Sequence, residues 1–189
     1  KHLPIFLKVV LIVIIAHIVW LVILYTIAAI VSKRNPWPLI KNYIPAYFTA
    51  MGTMSSMASL GVAIEGVRKS NMLKPELSNF SIPFFASIHL CGSVITIVFF
   101  TMSVSQVLYG FIPDLGTMVL FLFLLAIFAV SAPGVPGGTV IASLGLITSV
   151  LGFDEAGIAL LLSIFALQDS FGTAANITSD GALALITEK

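Results

Sequence analysis

Apolar residues run along this chain in long blocks, and the polar breaks between and within the blocks predict its elements. Leu3 to Ser32 is interrupted only by Lys8 and His17 as ionisable residues, long enough as a helix to cross a hydrocarbon core of about 30 Å. Residues 43–65 are apolar at both ends but broken by Met51-Gly52-Thr53-Met54-Ser55-Ser56-Met57-Ala58-Ser59. Residues 78–109 form a second continuous run. Residues 113–153 are broken at Ser131-Ala132-Pro133-Gly134-Val135-Pro136-Gly137-Gly138-Thr139, and a last run covers 157–187. The pattern predicts an all-α membrane protein. Its order is a spanning helix (3–32), a hairpin (36–68), a spanning helix (78–109), a second hairpin (113–153) and a last spanning helix (157–187).

The broken segments are predicted to be re-entrant because of charge placement. Lys33, Arg34, Lys41, Arg68, Lys69 and Lys74 precede the second long run, and no Lys or Arg lies from Pro75 to Glu188. The positive-inside rule puts 33–42 and 66–76 in the cytoplasm, with Lys189, and the loops carrying Asp114, Asp154 and Glu155 outside. Each broken segment then starts and ends on one side, the two on opposite sides. Their arms, about 12–18 residues each, are short for full spans. Irregular backbone at membrane depth is tolerated only when buried in protein or lining a cavity, and paired interruptions of this kind point to a transporter site. The alternative makes 113–131 and 139–152 ordinary spans joined by a tight turn, which would then be cytoplasmic without a basic residue.

Composition agrees with a bilayer environment: 59% of residues are apolar and 9% charged, against about 25% charged in soluble domains. The net charge of +1 implies no nucleic-acid partner, and the lone Cys91 excludes an internal disulfide. The first apolar run is too long for a signal peptide and lacks a small-residue cleavage site. The chain opens at Lys1 straight into a membrane segment and is expected to be a piece of a longer protein.

The candidate chemistry lies in the last run. Asp169, Thr173, Asn176 and Asp180 stand at offsets 0, 4, 7 and 11, all within about 40° of Asp169 on a helix. Carboxylates inside a membrane face a protein interior or a wet cavity and mark solute, ion or proton paths.

Three motifs carry a resemblance to a known family. Thr53-Met54-Ser55-Ser56, Gly134-Val135-Pro136-Gly137-Gly138 and Asp169-Ser170-Phe171-Gly172-Thr173-Ala174-Ala175-Asn176-Ile177-Thr178-Ser179-Asp180 are similar to the serine-rich first tip, the glycine-proline second tip and the last-helix signature of the dicarboxylate/amino acid:cation symporters. The chain resembles the transport-domain half of that glutamate-transporter-like fold, without its scaffold helices. The resemblance implies a homotrimeric, multi-pass plasma-membrane protein coupling sodium, or alternatively protons, to amino-acid uptake by an elevator motion. It implies that Asp169 binds a substrate ammonium and Thr173 contacts substrate. It implies a carboxylate cradle from Ser55, Ser56 and the backbone amides around Val135 to Gly138, the tip that also holds Pro136 and Gly137, and sodium ligation by Asn176 and Asp180 with contributions near Ser87 and His89. The serines also read as small packing residues.

Departures from the family are equally specific. Its Asn-Met-Asp-Gly-Thr run is His89-Leu90-Cys91-Gly92-Ser93 here. A sodium-binding aspartate is thereby replaced by Cys91, and His89 reads either as a neutral hydrogen-bond partner or as a proton relay. Phe85 and Phe165 also depart from the pattern. Gly172 stands where carriers of acidic amino acids have an arginine, which favours a neutral amino acid over a dicarboxylate or acidic one. Two aspartates about 16 Å apart on one helix cannot share a proton, which excludes an aspartyl protease, and no Gly-x-Ser-x-Gly motif is present; no enzyme activity is expected. An ion channel and a non-transporting membrane subunit remain as rivals.

Overall fold

The structure is a computed structural model that describes residues 3–188; Lys189, expected on the basic side, lies outside them. Among the described residues nine α-helices follow one another: α1 (Leu3–Ser32), α2 (Trp37–Thr53), α3 (Ser56–Ser70), α4 (Pro75–Ile88), α5 (Cys91–Val104), α6 (Leu115–Ser131), α7 (Gly138–Leu151), α8 (Glu155–Ala166) and α9 (Asp169–Thr187). A wider turn, Ser105–Tyr109, extends α5.

The fold is organised around α9. It packs against α1, α2, α3, α4 and α5, and from Gly172 to Ala182 every residue is buried. Small residues along it (Gly172, Ala174, Ala175, Ser179, Gly181) permit that crowding, as expected where helix association in lipid depends on close packing. Gly92 of α5 meets it most closely: a Cβ there would run into the Gly172 carbonyl oxygen and lie 2.8 Å from the Ala175 methyl. By contrast α1 exposes Leu7, Leu11, Ile15, Val22 and Ile30, an outward apolar surface suited to lipid or to further membrane helices. Pro4–Ser32 and Pro75–Tyr109 are each long and apolar enough to span a membrane.

The two expected hairpins are helix pairs, α2 with α3 and α6 with α7, turning at Met54–Ser55 and at Ala132–Gly137. Met54 ends α2 in the left-handed conformation, and Gly137 (φ +70°) opens α7 in the same region, where a residue without Cβ is favoured. Two expected spans are interrupted. The run at 78–109 unwinds at His89–Leu90, and the run at 157–187 bends by 63° at Leu167–Gln168. No glycine or proline marks either break; the first is held by Asn176 and the second by fully buried Gln168, whose Nε2 donates to the Val10 carbonyl at 3.4 Å.

Several charged residues meet at helix ends. Arg34 Nη1 lies 3.6 Å from Glu188 Oε2, and the Lys74 amide donates to Glu188 Oε1 at 3.1 Å. Elsewhere Tyr109 donates its hydroxyl to Asp154 Oδ1 at 2.7 Å. Asp114 and Asp154 cap α6 and α8, accepting from the Gly116 and Thr117 amides and from the Gly157 amide. The Thr117 hydroxyl at Asp114 and the Tyr109 hydroxyl at Asp154, with those amides, hold both carboxyls below the usual carboxylate range. Lowered folded-state values mean stabilisation that is present at neutral pH and is lost as pH falls through them. Amide protection at Gly116, Thr117 and Gly157, corrected for intrinsic exchange, is therefore expected to drop on acidification while that of α9 holds; equal loss in all three helices would refute the caps.

Candidate functional site

The two hairpin tips touch. Ser55 caps α3 by accepting from the Ala58 amide at 3.2 Å and donates its hydroxyl to the Gly134 carbonyl at 2.7 Å; the Met57 amide reaches the same carbonyl at 3.4 Å. Behind this seam lies a polar cavity lined by Met54, Ser56, Leu90, Ser93, Gly134, Val135, Thr139, Asp169, Thr173 and Asn176, with Pro133. Four helices present their first turns to it: α3 through Ser56, α5 through Ser93, α7 through Thr139 and α9 through Asp169. Helix N-termini carry the positive end of the helix dipole, so the cavity favours anions except where Asp169 places its own charge, although several first-turn amides are already taken by Asn176, Ser55 and Gly134. No Lys or Arg is among the lining residues.

Asp169 is 6% exposed. Its Oδ2 accepts from the Gly137 amide at 2.7 Å, and Thr173 Oγ1 lies 3.5 Å from Oδ1. The second tip is thus fastened to Asp169, and the cavity leaves about 10 Å³ for solvent, near the least that holds one water. On the far side of the second tip, Pro136, Gly137 and Asp169 also border an apolar cavity with Val140, Ile141, Leu162 and Phe165.

Below the cavity, Asn176 Oδ1 accepts from the Gly92 amide at 2.7 Å and the Ser93 amide at 3.3 Å, and its Nδ2 donates to Ser93 Oγ at 2.9 Å. These bonds satisfy the first turn of α5 where the chain restarts after unwinding. One turn further, Asp180 is fully buried; His89 Nδ1 lies 3.0 Å from its Oδ1, while its Oδ2 has no partner among the described residues. Cys91 Sγ lies 3.3 Å from Ser179 Oγ.

Of the residues expected at the site, Ser56, Val135, Asp169, Thr173 and Asn176 line one cavity, with Ser55 and Gly137 bonded at its rim; Gly138 instead bonds its amide to the Val135 carbonyl within the tip. Gly172 departs from expectation. It faces α5, where a Cβ would lie 3.3 Å from Thr96 Oγ1 and 3.4 Å from the Ser93 nitrogen, because it sits about 60° round the helix from Asp169. The residues expected to hold a cation do not gather at one point. Ser87 is exposed, turns its hydroxyl back to the Pro83 carbonyl and makes no hydrogen bond to Asp180, and no cluster of three His, Cys, Asp or Glu side chains suited to a metal exists among the described residues. Asp180 Oδ2 has no partner among the described residues, and the Asn176 side-chain oxygen accepts from two amides. Sequence reasoning left out Met54, Leu90, Ser93 and Thr139 as lining residues, although the position of Ser93 in the His89–Ser93 run was a usable signal.

A polar cavity with one carboxylate thus lies beneath two touching helical tips, in an apolar helical body with helices long enough to cross a membrane. The sequence model of the sodium:dicarboxylate symporter family matches residues 1–189, and the chain belongs to that family. It is 33% identical over 158 residues to the serine/threonine transporter SstT of Acinetobacter baylyi, covering 80% of this chain and 39% of that protein. The SstT of Acinetobacter baumannii is 30% identical over 166 residues (85% and 40%), and the excitatory amino acid transporter 1 of Rattus norvegicus 25% over 159 residues (84% and 29%). The chain therefore spans well under half the length of these relatives.

Proposed function

We propose that this chain forms the substrate-binding part of a cation-coupled symporter for a small neutral amino acid. The observation that carries the reading is the cavity in which four helix N-termini converge beside the single carboxylate of Asp169. An α-amino acid is complementary to that arrangement: its carboxylate meets the N-termini and its ammonium meets Asp169. A second carboxylate, as on aspartate, glutamate or a dicarboxylate, finds no cationic side chain there and carries a desolvation cost of several kcal/mol. The serine/threonine transporter among the relatives agrees with this preference.

In this reading the two hairpins enter a plasma membrane from opposite faces, with residues 33–42 and 66–76 cytoplasmic, a sidedness supported by the meeting of Arg34, Lys74 and Glu188. The second tip opens and recloses over substrate, and the cavity crosses the membrane by an elevator motion against scaffold helices that also hold a homotrimer. Sodium is the coupling ion, its place beside Asp180 Oδ2. A second reading, with a proton as the coupling ion, is favoured by one observation, the His89 ring against Asp180 Oδ1.

Competition binding on the full-length protein tests both points. Serine, alanine and threonine are expected to displace bound L-serine at least tenfold more effectively than aspartate, and sodium to raise serine affinity. Stronger displacement by aspartate would overturn the substrate class. Serine binding that ignores sodium and strengthens with protons would favour the second reading.

A further inference from the structure

We propose that His17, halfway along α1, is a positioning residue for the Ser93–Asn176 wall of the cavity, acting through a single peptide group. The inference rests on reading that cavity as the substrate site.

His17 is 3% exposed although α1 is otherwise almost wholly apolar and presents large side chains outward. A polar ring in such a helix is costly unless bonded. Its Nε2 lies 2.9 Å from the Gly92 carbonyl oxygen. A carbonyl only accepts, so Nε2 carries the hydrogen and donates. The Thr96 hydroxyl donates to the same oxygen at 3.0 Å and lies 3.2 Å from the ring nitrogen. Two side-chain donors thus converge on one carbonyl.

That carbonyl belongs to the peptide whose N–H is the Ser93 amide, and the Ser93 amide donates to Asn176 Oδ1. Asn176 in turn donates to Ser93 Oγ. The chain of bonds therefore runs from α1 to the cavity: His17 to the Gly92–Ser93 peptide to Asn176, closed by Ser93. Donors at the carbonyl end polarise a peptide and strengthen the bond made by its N–H end. They also fix the tilt of the peptide plane just after the chain unwinds at His89–Leu90, where the first turn of α5 has no preceding helical turn to hold it. Both Ser93 and Asn176 line the cavity. Without His17 the peptide is held by Thr96 alone, the 3.3 Å Ser93–Asn176 bond is the one to lengthen, and the asparagine amide loses its orientation.

The test uses His17→Leu, His17→Gln, whose amide nitrogen retains a donor, and Thr96→Val, which removes the second donor without changing shape, in the full-length protein. Two measurements are made: amide exchange across residues 89–96, and L-serine binding alongside maximal uptake per folded molecule. The expected result is faster exchange at Gly92 and Ser93 in His17→Leu, serine affinity weakened about five- to tenfold with a smaller change in maximal uptake, recovery of most of both in His17→Gln, and a milder version of the same pattern in Thr96→Val. Unchanged exchange at Gly92 and Ser93 in both His17→Leu and Thr96→Val overturns the proposal. So does a glutamine variant no better than leucine, or equal loss of affinity and maximal uptake. A wild-type protein that binds no serine would sink the substrate reading instead, while the exchange measurement would still decide the role of His17. If His17→Leu does not fold, Thr96→Val and His17→Gln carry the same decision.

Discussion

Asparagine at position 169 is expected to abolish amino-acid binding while leaving the fold intact. The substitution is nearly isosteric, and the amide oxygen still accepts from the Gly137 amide that now bonds Oδ2 at 2.7 Å, so the second tip can close as before. What disappears is the only carboxylate on the cavity lining. A substrate ammonium would then be buried without a counter-charge, a cost of about 3–5 kcal/mol, or roughly a hundred- to several thousand-fold in affinity. L-serine binding to purified wild type and Asp169→Asn, matched for monodispersity in detergent, measures it. Unchanged affinity would remove Asp169 from the ammonium role, and with it the zwitterion argument for this cavity.

Alanine at position 92 is expected to prevent correct assembly of α5 on α9. The added Cβ would meet backbone, the Gly172 carbonyl, and sit 2.8 Å from the Ala175 methyl. None of these is the far end of a flexible side chain, so the helices must part, and the bonds of Asn176 to the Gly92 and Ser93 amides part with them. Overpacking of this kind costs about 3 kcal/mol or more. Gly145→Ala is the matched control: it lies inside α7 with nothing within 4 Å of the new Cβ, and the helix gains about 0.5–1 kcal/mol from losing a glycine. Thermal unfolding in detergent should separate the two sharply; similar midpoints would show that α5 and α9 are not locked as close as described.

Much of this site was legible because chemistry and spacing coincide. The stripe Asp169, Thr173, Asn176, Asp180 lies on one buried helix, as its angular spacing required. Both tips turned where glycine, proline and serine interrupt apolar runs. The breaks at His89–Leu90 and Leu167–Gln168 were hidden because their residues are compatible with helix; only tertiary partners, Asn176 below one and the Val10 carbonyl beside the other, make unwinding favourable. Gly172 lies beside the cavity lining rather than on it, because about 60° of rotation from Asp169 turns it toward α5. The role of His17 was hidden for another reason: an isolated histidine in a mostly apolar run has no spacing to read, and its partner is a backbone carbonyl 75 positions away.

The two tips that meet at Gly134 are built on unequal foundations. The α2–α3 arm is packed against α9 along both its helices and against α4, whereas the α6–α7 arm leans on its own partner and on α4, α5 and α8, outside the main contacts of α9; α8 is itself joined to α9 through a sharp bend. Mechanically, one arm is a buttress and the other a cantilever. In the transporter reading proposed above, motion is expected to concentrate in the cantilever, so that stiffness rather than the near-symmetry of the two hairpins would set the side from which a solute reaches Asp169.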